Sequence, residues 1–206
     1  MRLFTSFLLI LFFCLGAVES YSKEYRKKKQ NYHSLGAGIG IARLTTDMGD
    51  DYNPGTTFYG AYTYTRKALM STFKLSYNQF VEFEDPVFDY KASIFDVSLR
   101  GGIYWNILKK DFYEGVTPYI GAQLGYTIFF YDESISGSSN TGGNSLLNIA
   151  PTAGVTIPIG PSIAADIAAE YNLNLQGQAG LNGANVITGT TNYNYFVISA
   201  GIKFNI

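Results

Sequence analysis

From Tyr32 to the C-terminus, apolar residues recur at alternate positions along eight segments separated by turn-forming residues. In residues 34–44, Leu35, Ala37, Ile39 and Ile41 share one face, opposite Ser34, Gly36, Gly38, Gly40 and Ala42. Residues 56–65 put Phe58, Gly60, Tyr62 and Tyr64 on one side. A third segment sets Leu69, Phe73, Leu75, Tyr77 and Val81 against Thr72, Lys74, Ser76 and Asn78. The fourth sets Phe95, Val97, Leu99, Ile103 and Trp105 against Asp96, Ser98, Arg100 and Asn106. Residues 117–131, 147–157, 163–173 and 194–206 repeat the pattern, the last with Phe196, Ile198, Ala200, Ile202, Phe204 and Ile206 opposite Ser199, Gly201, Lys203 and Asn205. Period two over about ten residues is a strand signal, because successive side chains of a strand point to opposite faces.

A soluble β-sandwich also has one apolar face per strand. Its strands average about five or six residues, however, and these run nearly twice that. Tilted strands of about ten residues cross an apolar layer about 25 Å tall. The second faces are small and polar with sparse charge, as a narrow wet interior needs. Aromatic side chains crowd the strand ends, where Tyr62, Tyr64, Tyr77, Trp105, Tyr126, Phe130, Phe196 and Phe204 are expected to form girdles at the two bilayer interfaces. The pattern predicts an all-β fold, an eight-stranded antiparallel up-and-down transmembrane β-barrel over residues 32–206.

Connections alternate in length, short at 66–68, 108–115 and 158–161, and long at 45–55, 82–91, 132–145 and 175–193. The third and fourth long loops, rich in Ser, Gly and Asn, are expected to be mobile. With the N-terminus periplasmic, the long loops face outside. Lys23, Arg26, Lys27, Lys28, Lys29, Arg66, Lys67, Lys109 and Lys110 then lie on the periplasmic side. Asp47, Asp50, Asp51, Glu82, Glu84, Asp85, Asp89, Asp132 and Glu133 lie in or beside the external loops. Lys74, Arg100 and Lys203 face inward with Asp96, Asp166 and Glu170. An eight-stranded barrel is just wide enough for side chains to fill. The six charges are therefore expected to pair, as a structural ion-pair network plugging the lumen; the alternative is a gated ion path.

Composition narrows the rest. Charged residues are 15% of the 206, below the roughly 25% of soluble domains, and aromatics are 16%. This excludes disorder. A net charge of −1 offers no basic field for nucleic acid, and one Cys with one His excludes a disulfide framework and a Cys/His zinc cluster. Residues 1–20 read as a cleaved secretory signal peptide: Arg2, an apolar run over 3–15, then Val18 and Ser20 at the −3 and −1 sites. Phe12 and Phe13 before Cys14 argue against a lipoprotein signal. Residues 21–31 form a basic periplasmic arm. Gly36-x-Gly38-x-Gly40 lacks the spacing of a dinucleotide loop, so no cofactor or metal is expected.

The stretch Thr117-Pro118-Tyr119-Ile120-Gly121-Ala122-Gln123-Leu124-Gly125-Tyr126 resembles the Pro-Tyr-x-Gly-Ala-Gly-x-Gly-Tyr strand of small bacterial outer-membrane barrels of the OmpA, OmpX and opacity-protein type. Gly36 to Gly40 is similar to their first strand, Asp166 with Tyr171 to their seventh, and the closing strand to their assembly signal. That family ends in Phe or Trp; this chain ends in Ile206, with Phe204 two residues earlier. The resemblance implies an outer-membrane location and insertion by the barrel-assembly machinery through the last strand. Outer-membrane lipids and lipopolysaccharide are the expected partners, with host or matrix ligands at the loops. A monomer without nucleic-acid partners is expected.

The expected role is structural or interactional: envelope integrity, surface antigen or adhesin. A narrow ion or small-solute channel is the alternative, and a lipid-modifying enzyme the next. Such enzymes use Ser with His and a carboxylate. His33 alone, at the periplasmic edge, carries no such motif, and the chain is expected not to be an enzyme.

Overall fold

A computed structural model describes residues 31–45, 52–82, 90–108, 115–135, 138–160, 162–175 and 193–206. The expected signal peptide, nearly all of the basic arm, the fourth loop and most of the first and second lie outside these residues. Eight strands follow one another: β1 Asn31–Leu44, β2 Tyr52–Arg66, β3 Leu69–Glu82, β4 Tyr90–Asn106, β5 Thr117–Ile135, β6 Ser138–Pro158, β7 Ile163–Leu175 and β8 Tyr195–Asn205. Each pairs antiparallel with the next, and β8 returns to β1 from Ser34↔Asn205 to Leu44↔Tyr195. The sheet closes into a barrel, and closure leaves no free edge around the ring.

The short connections and both barrel termini lie at one end, the turn end, and the long connections at the other, the loop end. Arg66 and Leu69 close the β2–β3 hairpin around Lys67, whose φ of 53° is left-handed. The outward face carries Leu35, Ile39, Ile41, Phe58, Phe73, Leu75, Leu99, Ile103, Ile120, Leu124, Ile198 and Ile202, all exposed. The lumen face carries Ser34, Thr57, Thr63, Lys74, Ser76, Asn78, Ser98, Arg100, Gln123, Thr152 and Glu170, all buried. Water-soluble proteins rarely expose contiguous apolar patches beyond a few hundred Å². Here the apolar surface rings the molecule, and the polar half of each strand is what the fold hides. This is a protein turned inside out, built for surroundings as apolar as its wall.

Close packing inside depends on glycine at a few places. A Cβ on Gly38 would lie 2.5 Å from the Tyr59 ring, and one on Gly201 2.3 Å from its hydroxyl. The Tyr59 side chain thus lies flat across β1 and β8. At Gly125, a Cβ would meet the Leu99 carbonyl at 2.0 Å, beside the base of Arg100.

One connection differs from the sequence expectation. The third loop, expected over 132–145, is mostly sheet. β5 continues to Ile135 and β6 starts at Ser138, with the ladder unbroken to Ile135↔Ser138. Gly and Asn mark turns and loops in sequence, but an antiparallel neighbour already in register extends the ladder through them.

Candidate functional site

The lumen is the only place where the fold gathers charge among the described residues, and it is layered. Nearest the turn end, Lys203 Nζ stands 2.7 Å from Asp166 Oδ1. Asp166 also accepts hydrogen bonds from Tyr119 Oη at 2.9 Å and Thr156 Oγ1 at 2.8 Å. Met70, Tyr104 and Tyr119 pack together here, the two rings edge to face at 5.4 Å. The acid comes from β7, the cation from β8 and the phenol from β5, so closure of the barrel is what assembles the group.

In the middle layer, Glu170 of β7 receives Lys74 of β3 on one carboxylate oxygen and Arg100 Nη1 of β4, at 3.2 Å, on the other. Arg100 Nη1 also donates to Asn172, and its Nη2 to Ser76 Oγ at 2.8 Å, which in turn pairs with Ser98. Lys74 Nζ lies 4.4 Å above the centroid of the Tyr59 ring. Two cations on one carboxylate give a triad whose desolvation is offset only because most of its polar atoms find partners.

Among the described residues Asp96 meets no cation. Asn78 Nδ2 donates to its Oδ1 at 2.8 Å, with the Tyr195 hydroxyl at 3.5 Å, while Oδ2 has no hydrogen-bond partner. Of the six inward charges, five pair and Asp96 does not. The reason is direction along one strand: Arg100, four residues away on β4, turns its guanidinium toward Glu170 and Asn172 instead.

Above Asp96 the lumen becomes apolar. Ala42, Leu44, Phe80, Ile94, Phe129, Leu146, Tyr195 and Val197 form a buried cluster, with Tyr193 packed on it. Reading the second face as small and polar missed this plug. The signal was present as side-by-side apolar residues at the loop ends of several strands: Ile94-Phe95, Phe129-Phe130, Leu146-Leu147 and Tyr195-Phe196. Two apolar residues in succession fill both faces of a strand.

The eight aromatics singled out from sequence all lie on the outward face. Tyr62, Tyr64, Trp105 and Phe204 lie near the turn end, and Tyr77, Phe130 and Phe196 near the loop end; Tyr126 sits four residues before Phe130 on β5. Phe95 stacks on Phe130 at 4.8 Å. His33 joins the turn-end girdle, its Nδ1 2.5 Å from Tyr62 Oη and its ring 5.0 Å from that of Tyr64. It therefore faces away from the lumen carboxylates.

The two-sided sorting of charge is less complete than the sequence reading had it. Arg43 is exposed on the outward face at the loop end of β1, opposite Phe196 of β8. Asp111 and Glu114 fall in the β4–β5 connection at the basic turn end, outside the described residues.

A closed, eight-stranded, antiparallel barrel with a lipid-suited wall and a side-chain-filled interior defines the class. No protein-family model matches this sequence, and no curated protein does. Solved structures do share the fold. Neisserial surface protein A is 16% identical, with a TM-score of 0.57 over 84% of this chain and 97% of that one. Ail, the attachment invasion locus protein of Yersinia pestis, is 19% identical, with a TM-score of 0.53 over 85% of this chain and all of that one. Ail in complex with the heparin analogue sucrose octasulfate gives 17% and 0.54 over the same shares. The chain has the fold of these small bacterial barrels.

Proposed function

We propose that this chain is an integral bacterial outer-membrane protein, exported through a cleaved signal peptide, whose role is structural or interactional at the cell surface. The observation that carries the reading is the pairing of an apolar outer wall with a lumen filled by its own side chains. Such a wall suits lipid, and such a lumen leaves the outward-facing connections as the parts free to meet a partner. Envelope integrity, antigenic display and adhesion all fit this arrangement.

Charge refines the partner. The long connections carry Asp47, Asp50, Asp51, Glu84, Asp85 and Asp89. Ail is known in complex with a polyanionic heparin analogue. Acidic loops repel a polyanion, so a neutral or cationic surface is the partner this chain suits.

The test is an outer-membrane fraction run on a gel with and without boiling, combined with protease treatment of intact cells. The folded barrel migrates anomalously until heated, and cuts map to the long connections. Recovery of the chain in the soluble periplasmic fraction without detergent would overturn the proposal. Conductance across a planar bilayer would favour the narrow channel instead.

A further inference from the structure

We propose that Arg43 and Arg66 are lipid-phosphate contacts, one at each rim of the wall, and that together they set the depth of the barrel in the bilayer. The inference rests on the reading of the wall as lipid-facing, and it adds the residues and the ligand chemistry.

Among the described side chains, the outward faces of the strands carry two formal charges, and both are arginines. Arg43 is the last outward residue of β1 at the loop end, and Arg66 the last of β2 at the turn end. Both are exposed. Neither guanidinium has an ion pair or a side-chain hydrogen bond among the described residues. Their neighbours offer none: Arg43 lies opposite Phe196, and Arg66 lies between Asn31 and Leu69, one outward position beyond Tyr64. An arginine with no acid beside it keeps its planar fork of donors for an acceptor from outside. Phosphate matches that fork two hydrogen bonds at a time.

The spacing is the second argument. Asn31 is the partner of Arg66, and twelve residues of β1 separate it from Arg43 with no charge between them on the outward face. At about 3.3 Å per residue and a tilt of about 35–45°, that is about 28–32 Å along the barrel axis. The apolar band of such a wall is about 25 Å tall. Each guanidinium therefore stands just outside the band, at the level of the lipid headgroups. The aromatic neighbours fit this level, since Tyr and Trp gather at the same boundary.

Trp105, the only tryptophan of the chain, is a built-in depth gauge. It is 55% exposed on the outward face and pairs with Leu69, whose other neighbour is Arg66. The folded protein is inserted into phosphatidylglycerol vesicles whose acyl chains carry bromine at successive depths, and quenching of Trp105 is measured. Arg66→Leu lengthens the apolar wall at the turn end by one outward position, so Trp105 is expected to move toward the bilayer centre by about 2–5 Å. Arg43→Leu lengthens the wall at the loop end, and Trp105 is expected to move the opposite way. Lys67→Ala, in the turn beyond the wall, is expected to leave the depth unchanged. In vesicles of a phosphate-free galactolipid, both arginine shifts are expected to shrink to less than half.

An unmoved Trp105 in both arginine variants, or movement in the same direction in both, overturns the proposal. So do shifts equally large in galactolipid, or a Lys67→Ala shift as large as that of Arg66→Leu. Absence of quenching at every depth in the parent overturns the lipid-facing wall and this inference with it, whereas quenching without a shift overturns this inference alone. Heat-dependent gel mobility reports folding of each variant. Arg66→Gln and Arg43→Gln, expected to shift Trp105 less but in the same directions, replace any leucine variant that does not fold.

Discussion

Replacing Arg100 with alanine removes the cation that ties β4 to β7 across the lumen. Three hydrogen bonds go with it, to Glu170 at 3.2 Å, to Ser76 at 2.8 Å and to Asn172. Removing one partner of a buried ion pair costs about 3–5 kcal/mol, chiefly because the other charge is left uncompensated. Glu170 keeps Lys74. The expected loss therefore sits at the lower end, about 3 kcal/mol. In a chain of this size about 2–4 °C accompanies each kcal/mol, so the unfolding midpoint in detergent should fall by about 6–12 °C. Lys67→Ala, in the exposed β2–β3 turn, should stay within about 0.5 kcal/mol of the parent. The assay is circular dichroism of the thermal transition, with gel mobility as an independent probe. Adding Glu170→Gln to Arg100→Ala should deepen the loss, since Lys74 is then a buried cation without its carboxylate. Equal midpoints for Arg100→Ala and Lys67→Ala would refute an inward, paired Arg100.

The other expectations are briefer. Leu75→Arg, midway along the outward face of β3, should cost about 2–4 kcal/mol in a lipid bilayer, and Leu69→Arg at the strand's turn end about 0–1 kcal/mol; folding yield into vesicles measures both, and equal losses would contradict a lipid-facing wall. Lys67→Gly should stabilise by about 1 kcal/mol, because a non-glycine residue at φ 53° carries steric strain that glycine lacks; an unchanged melting temperature would count against that turn geometry. Gly201→Val should cost about 1–3 kcal/mol by pushing the Tyr59 ring off β8, read as a lowered unfolding midpoint, while Gly60→Ala, whose added Cβ meets nothing, should be silent.

The strands were legible because both faces of each are under strong and opposite demands. Leu35, Ile39 and Ile41 can only be lipid-facing if Ser34, Gly36 and Gly38 are not, and a slip of one residue reverses every assignment. The same logic put Lys74, Arg100, Asp166, Glu170 and Lys203 on one face. Which of them meet is a different matter. Asp96 and Asp166 look equivalent in a list of inward acids, yet only Asp166 has a lysine beside it, because partners across a barrel depend on stagger between distant strands. No local pattern encodes that stagger. The plug was missed for a simpler reason: Phe80, Phe129 and Leu146 depart from the small, polar character of the second face only near the strand ends, although their parity points them inward. The β5–β6 hairpin was missed because Ser, Gly and Asn have weak strand preference of their own, and it is a paired neighbour that recruits them.

Among the described residues, the β5–β6 hairpin carries the sheet furthest from the turn end beside β7. β6 pairs with β7 only from Leu147↔Leu175 downward, yet it continues upward beside β5 to Ser138. At about 3.3 Å per residue, that is roughly 30 Å of ribbon measured along the strand, beyond the last described pair with β7. A peptide tag spliced into the connection from Ile135 to Ser138 should therefore be carried at the end of a paired ladder, making this hairpin a natural mast for displaying foreign sequence.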